Sequence, residues 1–187
     1  MFKIIIALLI SIGLLGCGAE QEQAQVPAQI PKTIANDPGK DIADEALALS
    51  IGNNHAEAFK LFEQAAAMGN RPAFYYLGLY YGRGDVVKQD VEQAFKWLYK
   101  AAMGGYPKAA YHVAEMYVRG EGVAEDHVKA LAWYWVGASL GDRYSEKRLR
   151  AVVPRLDPVQ MGHAKTLSKE LYAAIPHDLK EGRMSLH

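Results

Sequence analysis

The sequence predicts an all-α fold: a solenoid of stacked helix pairs with a C-terminal capping helix. Three observations predict it. From residue 40 onward the apolar residues recur at spacings of three and four, as amphipathic helices require. Sustained alternation and runs of β-branched residues, the marks of strands, are missing. The chain also matches itself when slid by 36 positions, the sign of a repeat architecture.

The clearest copies are residues 73–105 and 109–141. They agree at Ala73/Ala109, Tyr75/Tyr111, Tyr81/Tyr117, Arg83/Arg119, Gly84/Gly120 and Val87/Val123, and again at Asp90/Asp126, Ala94/Ala130, Trp97/Trp133, Ala102/Ala138 and Gly105/Gly141. A partial copy at about 41–69 precedes them, with Ala58, Phe59, Lys60, Ala65, Ala66 and Gly69 matching Ala94, Phe95, Lys96, Ala101, Ala102 and Gly105. Each unit reads as a helix, a Gly-containing loop, a second helix and a Gly stop. Ala73, Leu77, Gly78 and Tyr81 share one face of the first helix; Ala94, Trp97, Ala101 and Ala102 share one face of the second. Small residues let the axes approach, and the aromatics fill the space between pairs. A single unit cannot hide its apolar face, so the units must stack.

Helix ends are marked as well. Asn54 with Glu57, Asp90 with Gln93, and Asp157-Pro158 with Gln160 have the spacing of capping boxes. Gly69, Gly105 and Gly141 stand where a left-handed C-terminal cap favours glycine. After the last copy, residues 143–153 read as a charged first helix. Pro154 breaks the chain, and Asp157 to Ala174 forms a final helix within a cap spanning 142–176. Residues 184–187 are expected to fray.

The pattern Ala-x-x-x-Leu-Gly-x-x-Tyr, then Gly, Val and Asp, then Ala-x-x-Trp-x-x-x-Ala-Ala-x-x-Gly resembles the Sel-one-like repeat family, relatives of tetratricopeptide repeats with a longer unit. Val86 departs from it in place of a loop glycine, and Ala114 stands in the register of Gly78. The cysteine pairs that staple some secreted members are absent. The resemblance implies a right-handed αα superhelix of tetratricopeptide-like pairs over residues 40–187, used to bind proteins or peptides. It implies no particular partner.

The N-terminus carries a different signal. Met1-Phe2-Lys3 is a short basic start, and Ile4 to Leu15 is mostly aliphatic. That is too short to cross a bilayer, which takes about 20 residues, and suits a signal-peptide core. Leu14-Leu15-Gly16-Cys17 resembles a bacterial lipobox. The resemblance implies removal of residues 1–16 and acylation of Cys17. An ordinary secretory signal with a coincidental cysteine is the alternative. Two or three acyl chains, at about 0.8 kcal/mol per buried methylene, make a lasting anchor. Gly18, where Asp would imply inner-membrane retention, favours the outer membrane facing the periplasm. The stretch up to Gly39 is rich in Gln and Pro, without apolar periodicity, and reads with Cys17 as a linker, 17–39. About 20 such residues reach roughly 25 Å.

Composition narrows the function. Of 187 residues, 21 are Lys or Arg and 21 are Asp or Glu, a balance that argues against nucleic acid as a partner. A single cysteine excludes an internal disulfide and any multi-thiolate zinc site. Gly82-Arg-Gly84 and Gly120-Glu-Gly122 lack the continuation of a nucleotide loop. His112 and Glu115 share one helix face but form no His-Glu-x-x-His metal motif. No preassembled nucleophile and base stands out. The chain is therefore read as no enzyme, with no cofactor and no metal.

The candidate site is a stripe on the first helices. Tyr75, Leu79 and Arg83 form an i, i+4, i+8 row, and Tyr111, Glu115 and Arg119 repeat it one unit on. In the related tetratricopeptide solenoids such rows line the concave groove. The arginines would read carboxylates, and the tyrosines would pack on apolar side chains. The bland alternative is that these arginines are simply solvated. The expected function is a lipid-anchored, periplasm-facing adaptor that binds an envelope protein or peptide. An immunity protein against a periplasmic toxin is the second reading, and a cell-wall or β-lactam hydrolase the third.

Overall fold

The computed structural model describes residues 37–152 and 157–177. The leader, Cys17, most of the linker, Pro154 and the last ten residues lie outside them. Helices α1 (Lys40–Ile51) and α2 (His55–Ala67) form one antiparallel pair, α3 (Arg71–Arg83) and α4 (Val91–Met103) the next, and α5 (Pro107–Arg119) and α6 (His127–Ser139) the third. Helix α7 (Arg143–Val152) follows as a first helix, and α8 (Pro158–Ala174) closes the series. Each second helix packs on the first helix of the next pair, so the pairs stack as an αα solenoid. No strand occurs among the described residues.

Alanine makes the stacking possible. Ala58, Ala65, Ala73, Ala101, Ala109, Ala110 and Ala114 are wholly or almost wholly buried in one continuous core with Phe62, Leu77, Val113 and Trp133. Helix axes can approach to the short end of the usual 8–10 Å where such side chains meet. At Gly78 even a methyl is too much, since a Cβ there would lie 2.6 Å from Leu98 Cγ.

The caps follow the sequence with one correction. Asp90 accepts from the Gln93 amide at 2.9 Å, and Asp157 from the Val159 amide at 2.7 Å. Asn70, Asp126 and Asp142, not named as caps from the sequence, cap α3, α6 and α7 in the same way. Asn54 does not cap: its side-chain amide donates to Glu57 Oε2 at 2.5 Å. The caps of α3, α4, α6 and α8 have extended backbone, with ψ from 97° to 134°, whereas Asn54 sits at ψ 62°. The tight Gly52-Asn53-Asn54 link, with Asn53 at φ 63°, holds it out of the capping geometry. Gly69, Gly105 and Gly141 all take positive φ, as their positions predict.

The C-terminal cap differs in detail from a repeat. Helix α8 packs along α6 instead of forming a pair with α7. Helix α6 is therefore covered on most sides: Leu131, Ala132, Trp133, Tyr134 and Val136 are all buried, which suits its Ala-, Trp- and Tyr-rich sequence.

Candidate binding face

Helices α3, α5 and α7 meet side by side through their own side chains, and this is where both rows fall. The rows divide between framework and surface. Tyr75 is only 8% exposed: its hydroxyl lies 3.3 Å from His112 Nε2, and its ring packs on Tyr106 and Tyr76. Burial pushes its phenol up to about 12. Leu79 packs half-buried against the core. Tyr111 is half-buried, with the rings of His112, Tyr134 and Tyr144 around it.

Glu115 is 5% exposed and faces three donors instead of solvent. The Tyr134 hydroxyl donates to Oε1 at 2.5 Å. Arg148 of α7 donates from Nε to Oε1 at 2.7 Å and from Nη2 to Oε2 at 2.8 Å, a two-toothed charge-assisted pair. Arg119 Nη2 adds a contact at 3.2 Å. Burial alone would raise the carboxyl's pKa. The hydrogen bonds from Arg148 and Tyr134 and the two guanidinium charges outweigh it and hold the group below its ordinary value.

The arginines are exposed. Arg119 is divided between Glu115 and Glu121, the latter at 3.7 Å. Arg83 makes no ion pair or hydrogen bond among the described residues, yet its charge reaches Tyr75 and His112.

The row is also part of something longer. Ring centroids step from Phe62 to Tyr76 (4.7 Å), Tyr75 (5.3 Å), His112 (5.6 Å), Tyr111 (5.4 Å) and Tyr144 (5.7 Å). This seam crosses from α2 to α7 and emerges at Tyr144, which is 66% exposed. His112, Tyr144 and Arg148 were not placed in the row from sequence. Arg148 stands in the register of His112 and Tyr76, and Tyr144 in that of Lys108. Matching like with like passes over such positions, because the residue type changes from copy to copy.

Other clusters carry less chemistry. His112 is turned to Tyr75 and Glu115 to Arg148, so they do not converge on a common point. No group of three or more His, Cys, Asp and Glu fit for a metal occurs among the described residues. Gly137-Ala138-Ser139-Leu140-Gly141 has the spacing of a hydrolase nucleophile elbow. That elbow needs a strand-to-helix turn, whereas Ser139 ends α6. Ser50 and His55 stand 3.5 Å apart, each closer to the buried Tyr80 hydroxyl, at 3.1 Å. These three satisfy one another at the junction of α1, α2 and α3.

A two-helix unit repeated in this way, with one shared face of first helices, defines a helical-repeat scaffold. The Sel1 repeat family matches residues 48–70, 72–106 and 107–142, together half of the chain, and the chain belongs to that family. Proteins of this family generally serve as protein-interaction adaptors. Among solved structures, the chain is similar to a protective antigen of uropathogenic Escherichia coli with an SLR fold. The identity is 26% and the TM-score 0.70, over 80% of this chain and 33% of that one. The chain thus spans a third of that antigen's length. A Sel1 repeat protein from Oxalobacter formigenes is 31% identical at TM-score 0.56, over 60% of this chain and 88% of that one. Helicobacter pylori cysteine rich protein B shares the fold at TM-score 0.52 and 17% identity, over 59% of this chain and 94% of that one. No curated protein matches the chain.

Proposed function

We propose that this protein is a lipid-anchored, periplasm-facing module that holds another protein or a peptide on the α3–α5–α7 face and catalyses nothing. The observation that carries the reading is the aromatic seam that surfaces at exposed Tyr144 on a face of first helices that also carries exposed Arg83 and Arg119. Aromatic and arginine side chains are the residue types that dominate protein-binding surfaces. The anchor is inferred from Leu14-Leu15-Gly16-Cys17 after a short apolar stretch, and the outer membrane from Gly18.

Crosslinking capture from envelope extract tests the reading. The bait is the chain from residue 18, alongside a variant carrying both Arg83→Ala and Arg119→Ala. A stoichiometric partner lost with the variant supports binding on this face. A partner retained in full by the variant counts against the arginines. One tight partner that proves to be a toxin would recast the protein as an immunity factor.

A further inference from the structure

We propose that this protein joins end to end with further copies of itself, the acidic outer face of α1 on one copy seating against the basic outer face of α7 on the next. The contact uses the two ends of the solenoid and lies outside the binding reading above.

The stack stops at α7 with its joining position uncovered. Each inner first helix meets the next through one tyrosine: Tyr75 of α3 reaches His112 of α5, and Tyr111 of α5 reaches Tyr144 of α7. The register mate of both tyrosines in α7 is Lys147. Beside it, Arg150 stands where α3 and α5 carry Gly78 and Ala114, both buried. Arg143 completes an i, i+4, i+7 row with these two, so all three share one side of the helix. The other sides of α7 are occupied. Ser145 lies against Gly137 of α6, and Tyr144 and Arg148 lean on Tyr111 and Glu115 of α5. The row of three cations is exposed, and among the described residues only Arg148 of the α7 cations has an ion pair.

The opposite end is its complement. Among the described residues no helix precedes α1. Ala43 and Ala46 are its buried residues. Asp41, Asp44, Ala48 and Ile51 recur on the opposite side and are exposed, Ile51 at 76%. Helices α1 and α2 carry five carboxylates against two lysines, and α7 and α8 six cations against two carboxylates. A chain with no net charge therefore has ends of opposite sign.

The two rows also fit in shape. Asp41 to Ala48 and Arg143 to Arg150 each span about 10 Å at 1.5 Å per residue. Ala48 leaves room for the axes to approach, and the aliphatic stems of Arg143 and Lys147 can cover Ile51. Like charges oppose α1 on α1 and α7 on α7. A head-to-tail contact leaves one acidic and one basic end free at every step, so copies add in series.

The test uses the purified full chain with the photoreactive residue benzoyl-phenylalanine in place of Ala48. Irradiation at about 0.1 M salt is expected to give a ladder of dimers and longer species, with crosslinks mapping to residues 143–152 of another copy. At about 1 M salt the screening length falls from about 10 Å to about 3 Å, and the yield should drop about fivefold. Arg143→Glu, Lys147→Glu and Arg150→Glu together should abolish the ladder, and so should Asp41→Lys, Asp44→Lys and Glu45→Lys together. Mixing the two reversed chains should restore it, because each again meets the opposite charge. Both sets alter exposed side chains only, so the thermal unfolding midpoint should stay at the wild-type value. Crosslinks that map elsewhere, a ladder indifferent to either reversal, or reversed chains that stay apart on mixing overturn the inference. Vesicles of phosphatidylglycerol that bind the wild type and not the α7-reversed chain, with no ladder formed, overturn it in favour of a lipid contact. Capture of a partner through Arg83 and Arg119 is untouched by any of these results.

Discussion

Arg148 of α7 grips Glu115 of α5 with two hydrogen bonds, Nε to Oε1 at 2.7 Å and Nη2 to Oε2 at 2.8 Å. The same carboxylate takes the Tyr134 hydroxyl from α6, so one buried group ties three helices together. In the previous repeat this position is Leu79, which packs against the core. The last full repeat has exchanged an apolar contact for an ionic one where the solenoid meets its cap. Removing Glu115 leaves the buried Tyr134 hydroxyl without its acceptor and Arg148 without its partner. Glu115→Ala is therefore expected to cost about 1–3 kcal/mol, kept to the low side because Arg148 and Arg119 are about half exposed. Arg148→Ala should cost less, since Arg119 and Tyr134 still hold the carboxylate. A double-mutant cycle in urea measures the coupling, and additive losses would refute the network.

Acid should unfold the protein in two stages. Glu115 has a folded pKa below its ordinary 4.5. Its stabilisation is present above that value and is lost as pH falls through the folded pKa. His112 is lowered from 6.5, first by burial and further by Arg83 and Arg119, against the opposing pull of Asp142 and Glu115. The unfolded chain then binds the proton first, so this contribution is complete above about 6.5 and shrinks as pH falls below it. Both slopes have the same sign. Urea midpoints should drop from neutral pH downward, His112→Gln flattening the upper part and Glu115→Gln the lower. A wild-type midpoint that rises between pH 7 and pH 5 would contradict this.

Gly122 sits at φ 71°, and a Cβ there would stand 2.1 Å from the Val91 carbonyl oxygen. The loop of the third pair thus lies directly on the first turn of α4. Gly122→Ala should lose about 2 kcal/mol or more, because positive-φ strain adds to a clash with backbone that cannot swing away. The register mate Val86 has no positive φ and packs half-buried against the core, so Val86→Ala is expected to cost about 1 kcal/mol, less than Gly122→Ala. Thermal unfolding of the two variants side by side decides this.

Cys17→Ser removes the thiol that would carry the acyl chains and is expected to release the protein from membranes. Fractionation of envelopes, with the mass of the mature N-terminus, provides the readout. Full retention of the serine variant in the membrane pellet would rule out acylation as the anchor.

Much of the fold was legible from the repeat. Gly69, Gly105 and Gly141 mark the helix ends, and Ala73, Ala94 and Ala109 mark the buried faces, because contacts within a unit recur every 36 residues. Asn54 misled, since a capping spacing says nothing of the backbone angle that a tight Gly-Asn link imposes. Tyr75 and Glu115 also differ from a simple surface stripe. Helical angle gives the direction of a side chain, but not how deep the neighbouring helices bury it.

The sequence by itself determined the helices, their period, their pairing and the small residues that let them stack, because these depend on contacts between residues close along the chain. Only the tertiary structure decided that Glu115 belongs to Arg148 and Tyr134, that α8 covers α6, and that the aromatic seam surfaces at Tyr144. Those contacts depend on residues that differ from copy to copy, so no period repeats them.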